Sequence, residues 1–155
     1  SPQFLLWGDS PSNALPISTN FNLPRDDDSI LPMQPEPLGG MLTLLFALFN
    51  DDVKAITIQG GLTSYASTLK HHLVQIPNET LIPGIFNMGD ISLLIHALGS
   101  RTMFLNQMVD GLNLEVAETK LEQLIMNNAK ERKLPSTIHL GEVNLKIILK
   151  SLPTS

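Results

Sequence analysis

Four short apolar runs, Phe4 to Trp7, Val53 to Ile58, Thr102 to Asn106 and Ser136 to Leu140, are spread along the chain, and helical spacing recurs between them. Parallel neighbours in a sheet need a crossover connection, and a helix is the usual one. The alternation therefore predicts an α/β fold with a partial parallel sheet of about four strands in chain order, flanked by helices on both faces. The first run, Phe4-Leu5-Leu6-Trp7, is continuous and closes on Gly8-Asp9-Ser10, as a buried strand does. Leu38 to Phe49 is apolar at nearly every position and too long for a strand, which predicts a helix buried all round. A helix is expected from about Thr63 to Val74. Asp90 is expected to cap another that ends at Gly99, with Ile91, Leu94, Ile95 and Leu98 on one face. Asn113 is expected to cap an amphipathic helix carrying Leu114, Ala117, Leu121, Leu124, Ile125 and Ala129 on its apolar side. Early Glu115 and Glu118 and late Lys130, Arg132 and Lys133 suit its dipole. Gly141 to Leu152 reads as a last helix.

One stretch breaks this rhythm. Residues 11–37 hold Pro11, Pro16, Pro24, Pro32, Pro35 and Pro37, together with Asp26-Asp27-Asp28. Proline lacks the amide hydrogen that a helix interior or a central strand requires. The stretch is read as an inserted loop within a single domain spanning residues 1–155. Loops of this length are usually functional or mobile.

Composition narrows the chemistry. The chain has 155 residues, 43 % of them hydrophobic, enough for a proper core. Its formal charge is 10 − 15 = −5, which excludes a generic nucleic-acid binder with a basic face. There is no cysteine, so disulfides and thiolate chemistry are excluded. The longest apolar run stops at Asn50-Asp51-Asp52, short of a membrane span. No histidine pair has metal-ligand spacing. Asp26-Asp27-Asp28 lacks the glycine and closing glutamate of a calcium loop, and neither Gly39-Gly40 nor Gly60-Gly61 fits a phosphate-binding motif. No cofactor or metal is implied. The first residue is Ser1 and not Met, so the sequence reads as a processed form or a piece of a longer protein.

Several segments in chain order carry a family likeness: Leu6-Trp7-Gly8-Asp9-Ser10, Glu36-Pro37-Leu38-Gly39-Gly40, Gly60-Gly61-Leu62-Thr63-Ser64-Tyr65, Ile82-Pro83-Gly84-Ile85, Gly89-Asp90-Ile91 and Val109-Asp110-Gly111-Leu112-Asn113. Together they resemble the C-terminal half of an α/β-hydrolase of the acetyl xylan esterase-like and dienelactone hydrolase-like branch. The likeness runs from Phe4 to Asn113 and is densest from Glu36 onward. It implies that the first strand feeds the nucleophile turn and that the earlier strands of the sheet precede residue 1. The first strand would then be an edge strand, packing against a missing N-terminal segment or against another chain.

The resemblance implies carboxylic-ester hydrolysis, with a small-molecule or carbohydrate acetyl ester as substrate. Such hydrolysis needs a serine, a histidine that takes its proton, a carboxylate that orients the histidine, and two N–H donors for the oxyanion. The family order is serine, acid, histidine, and Ser10, Asp110 and His139 follow it. Ser10 is implied as nucleophile, Asp110 as the orienting acid and His139 as the proton carrier. Asp90 is the rival acid, with a helix cap as its plain explanation. Gly8-Asp9-Ser10-Pro11-Ser12 departs from G-x-S-x-G, and Pro11 has no N–H to give the oxyanion. The helix expected at the serine starts only near Leu38, and His139 lies within its strand rather than after it. These departures support the alternative, a degenerate hydrolase domain with a structural or ligand-binding role.

Overall fold

Phe4–Asp9 (β1), Val53–Gln59 (β2), Thr102–Asn106 (β3) and Ile138–Leu140 (β4) form one sheet in the order β1-β2-β3-β4. All three pairings are parallel. The computed structural model describes residues 4–10, 14–16, 37–70, 74, 76–98, 101–129, 135–142, 146 and 148. The inserted loop lies outside these residues apart from 14–16 and Pro37. The expected last helix lies outside them apart from Gly141, Glu142, Lys146 and Ile148.

The helices are Leu38–Leu48 (α1), Tyr65–Thr68 (α2), Ile85–Met88 (α3), Ile91–Ala97 (α4) and Glu118–Ala129 (α5), with a 3-10 turn at Asn78–Thr80. The helix expected from Thr63 to Val74 is thus a single turn, α2. Contacts link α1 to α4 and α4 to α5, so these three lie side by side as one layer. Successive right-handed crossovers running one way across a sheet place their helices on one face. The core lies between that layer and the sheet. It joins Met41, Leu44 and Ala47 of α1 to Ile56 and Ile58 of β2, Met103 and Leu105 of β3, Ile91 and Ile95 of α4, and Leu121 and Ile125 of α5.

Glycine sets how closely the first strand and helix approach. A Cβ on Gly8 would run into the Gly39 carbonyl and the Thr43 hydroxyl, and one on Gly39 into the Asp9 carbonyl. At its other end α1 is capped from afar. The Arg101 guanidinium donates to the Ala47 carbonyl and, at 3.3 Å, to the Asn50 carbonyl, satisfying helix-end acceptors.

Two local expectations are corrected. The first helix is not buried all round. Leu42, Phe46 and Phe49 are exposed, because α1 covers β1 and β2 at the margin of the sheet and, among the described residues, packs besides them on α4 and the 3-10 turn at Asn78–Thr80. Asn113 does not cap a helix either. Its φ is 59°, Leu114 and Glu115 sit in isolated bridges, and α5 begins at Glu118. Asparagine tolerates the left-handed region, and here the Asp110 turn demands it.

Candidate functional site

Ser10 directly follows β1, and its N–H extends the ladder by donating to the Gln59 carbonyl at 3.0 Å. Residues 11–37 separate it in sequence from α1. The first turn of α1 packs on Asp9, since Gly39 lies against the Asp9 backbone. The end of β1 and the start of α1 thus lie together. First-turn N–H groups have no acceptor within a helix, so the positive dipole end of α1 lies at the end of β1, against Asp9. The Ser10 hydroxyl is buried and has no hydrogen-bond partner among the described residues. Gly60, at φ 69°, sits against the Ser10 side chain.

Asp110 occupies the loop that leaves β3. Its Oδ1 accepts from Leu112 N at 2.9 Å and Leu114 N at 3.1 Å, and its own N–H donates to the Leu114 carbonyl at 3.0 Å. The carboxylate therefore builds its own tight turn. Leu15 pairs with that loop. Leu15 N donates to Asn113 O at 2.9 Å, and Glu115 N donates to Leu15 O at 2.8 Å. Ser10 and Asp110 thus share the rim at the C-terminal ends of the strands, where ligands bind in open α/β sheets.

His139 is elsewhere. It pairs with Phe104, which pairs with Thr57, which pairs with Trp7, so the four form one row across the sheet. Gly8 and Ile58 face α1, and alternation turns this row to the opposite face. The His139 ring stacks on Phe104 with centroids 4.9 Å apart and planes at 18°. From His139 to Ser10 is three strand spacings across and three residues along, roughly 17 Å between Cα atoms. No hydrogen bond joins it to Ser10 or Asp110 among the described residues. His96 is no substitute, since its Nδ1 lies 2.6 Å from the Ser92 carbonyl within α4. His71 and His72 lie outside the described residues.

Asp90, the rival acid, caps two helices. Its carboxylate accepts from Ile91 N at 2.7 Å at the start of α4, from Tyr65 N at 2.7 Å and Ala66 N at 3.3 Å in α2, and from the Ser64 hydroxyl. These bonds account for both of its oxygens.

Sequence reasoning missed a polar cluster on the same rim. Asn106 Nδ2 donates to Gln59 Oε1 at 2.7 Å, and Gln59 Nε2 donates to Gln107 Oε1. Gln107 has φ 46°, which turns the chain out of β3. The available signal was a Gln or Asn at the end of two neighbouring strands. Beyond the cluster lies a cleft of about 390 Å³, lined by Asn106, Gln107, Glu115, Glu118 and Thr119 with Leu105, Met108, Val116, Ala117, Leu121 and Gly141. Its volume is within the range of small-molecule sites. Among the described residues no group of three or more His, Asp or Glu could hold a metal ion. No helix among them is long and apolar enough to cross a membrane.

Comparison of the chain with protein-family models, curated proteins and solved structures gives no match.

Proposed function

We propose that this chain is a serine-hydrolase-like α/β domain that binds a small polar ligand at the C-terminal rim of its sheet and does not turn over esters through Ser10. The observation that carries this reading is the row Trp7, Thr57, Phe104, His139, which sets the Cα atom of His139 roughly 17 Å from that of Ser10 and turns its imidazole to the other face of the sheet from α1. A general base must come within hydrogen-bond reach of the proton it takes, about 2.6–3.2 Å. The oxyanion side is weakened as well, because Pro11 has no N–H to donate. The rim itself is suited to binding. Side-chain amides and the carboxylates of Glu115 and Glu118 offer both donors and acceptors, as a polyhydroxylated or acetylated sugar requires.

A second reading, an acetyl-ester hydrolase using Ser10, Asp110 and a histidine, is supported by the shared rim of Ser10 and Asp110 and by the N-terminus of α1 at the end of β1. One nuclear magnetic resonance titration with an acetylated xylose separates the two. The expected result is chemical-shift change at Asn106, Gln107 and Glu118 with no growing signal from free acetate. Steady acetate release that disappears in Ser10→Ala would establish the hydrolase reading. Neither shifts nor acetate would overturn the binding reading.

A further inference from the structure

The outer edge of β1 and the outer stripe of α1 form one apolar margin of the sheet, with Phe4 on the α1 face and Leu5 and Trp7 on the other. Phe4 N donates to Asp52 O and Ser10 N to Gln59 O, so even-numbered residues of β1 bond to β2. The backbone groups of Leu5 and Trp7 therefore point away from β2, and among the described residues no strand pairs with that edge. Phe4 is 44 % exposed, Leu5 37 % and Trp7 50 %. On α1 and its C-cap, Leu42 is 55 % exposed, Phe46 54 % and Phe49 85 %, one stripe at i, i+4 and i+7. No charged residue occurs from Phe4 to Gly8 or from Pro37 to Asn50. Edges are normally blunted by lysine, proline or a bulge that twists them away. From Leu5 to Gly8 this one is regular and carries neither lysine nor proline.

We propose that a second copy of this chain covers the surface, with β1 pairing antiparallel to β1 of the second copy about a two-fold axis at Leu6. The occupant must supply an unpaired strand edge and an apolar helix face side by side. This chain carries that combination, and a two-fold axis normal to the sheet keeps both copies of α1 on one face. The spacing fits. Each α1 lies over β1 and β2, so joining the sheets edge to edge sets the two helices two strand spacings apart, about 10 Å, close to helix-packing distance. The register fits as well. Pairing about Leu6 sets Trp7 beside Leu5 of the second copy on one face of the sheet. On the other face it sets Phe4 beside Gly8, where no side chain competes. Leu5 and Trp7 then exchange four backbone hydrogen bonds, and Asp9 falls beyond the paired segment. Taking ~200 Å² for a fully exposed large apolar side chain, the six exposures leave roughly 650 Å² per copy, near the ~800 Å² per partner of a standard interface. An uncharged surface on an acidic chain offers a charged partner no complementarity.

Sedimentation equilibrium of the chain should give twice its 17.0 kDa mass, with no larger species. Leu5→Pro deletes an outward N–H without touching the ladder to β2, and Phe46→Lys puts a charge into the helix contact. Each should weaken the dimer about 30-fold or more while retaining the circular dichroism of the parent. Should Leu5→Pro unfold, Phe46→Lys decides. Because the chain has no cysteine, Leu6→Cys introduces a single thiol. Directly opposed Cα atoms of a non-hydrogen-bonded antiparallel pair are about 4.5 Å apart, within disulfide range. Mild oxidation should therefore cross-link Leu6→Cys and leave a Leu93→Cys control on α4 monomeric on a denaturing gel. A monomer at every concentration, open-ended association, a dimer unaffected by the folded variants, or equal cross-linking of both cysteine variants would overturn the proposal.

Discussion

Tyr65 is the single tyrosine of the chain; it is fully buried, and its hydroxyl donates to the Thr80 carbonyl at 2.9 Å. Burial, reinforced by the nearby Asp90 carboxylate and opposed by a backbone hydrogen bond at Ile82, raises its pKa from 10.0 to about 12. A tyrosine held neutral in the folded state contributes stability that is fully present below its unfolded pKa. That contribution is lost as pH rises through the folded value. Stability should therefore lose this part between pH 10 and about 12, and the tyrosinate absorbance should appear only near the upper end. Tyr65→Phe should be less stable at neutral pH, by about 1 kcal/mol for the lost hydrogen bond, and should lack this alkaline step in urea denaturation. At the same scale Ser10 and Asp110 were legible, because each sits where an apolar run meets turn residues. The displacement of His139 was legible too, because it lies within its strand rather than after it; the row of the sheet that it joins was not. A residue inside a strand has its side chain aimed by register with neighbours far along the chain, and nothing local to Thr137-Ile138-His139-Leu140 states which row it joins.

Among the elements, α2 and α4 share one carboxylate. Asp90 takes N–H groups from the start of both, so two short helices that would be marginal alone are fastened together. Asp90→Ala should cost about 2–3 kcal/mol in urea denaturation, more than a single cap. Asp90→Asn, which keeps one acceptor oxygen, should cost about 1 kcal/mol. The Asp90 cap was legible for α4, where it precedes an apolar stripe at helical spacing. Its grip on α2, twenty-five residues upstream, depends on tertiary contact. The misreading of Asn113 has a similar origin. The apolar spacing does begin at Leu114, but Leu15 pairs with this segment and holds Leu114 and Glu115 extended. Bridge bonds from a distant residue outweighed local helix preference.

For the whole molecule, the proposed pairing at the margin of the sheet, where no described strand covers the outer edge of β1, sets the expected behaviour in solution. If two copies close over β1 and α1, folding and association are linked, and the melting temperature depends on concentration. A hundredfold rise in concentration should lift the Tm by about 3–5 °C in differential scanning fluorimetry, and Phe46→Lys should abolish that dependence. An unchanged Tm in the parent chain would show that the fold is stable without a second copy. The same margin explains why α1 reads as buried from its composition and yet keeps one side uncovered. Its apolar residues surround the whole helix, but the sheet and α4 reach only part of it.

The sequence by itself determined the number of strands, their parallel sense and their order in chain succession. Alternating apolar period, turn residues at the run ends and the handedness of crossovers are local or topological rules, and a single chain obeys them without knowing its distant neighbours. Tertiary structure alone decided what met at the rim. It returned the start of α1 to Asp9 across the proline-rich insertion, tied Leu15 to the Asp110 loop, joined Gln59, Asn106 and Gln107 into one cluster, and kept His139 on the far face. Each of these is a contact between residues far apart in sequence. Close packing of glycine backbones and inter-strand register set such contacts, and a reading of one segment at a time contains neither.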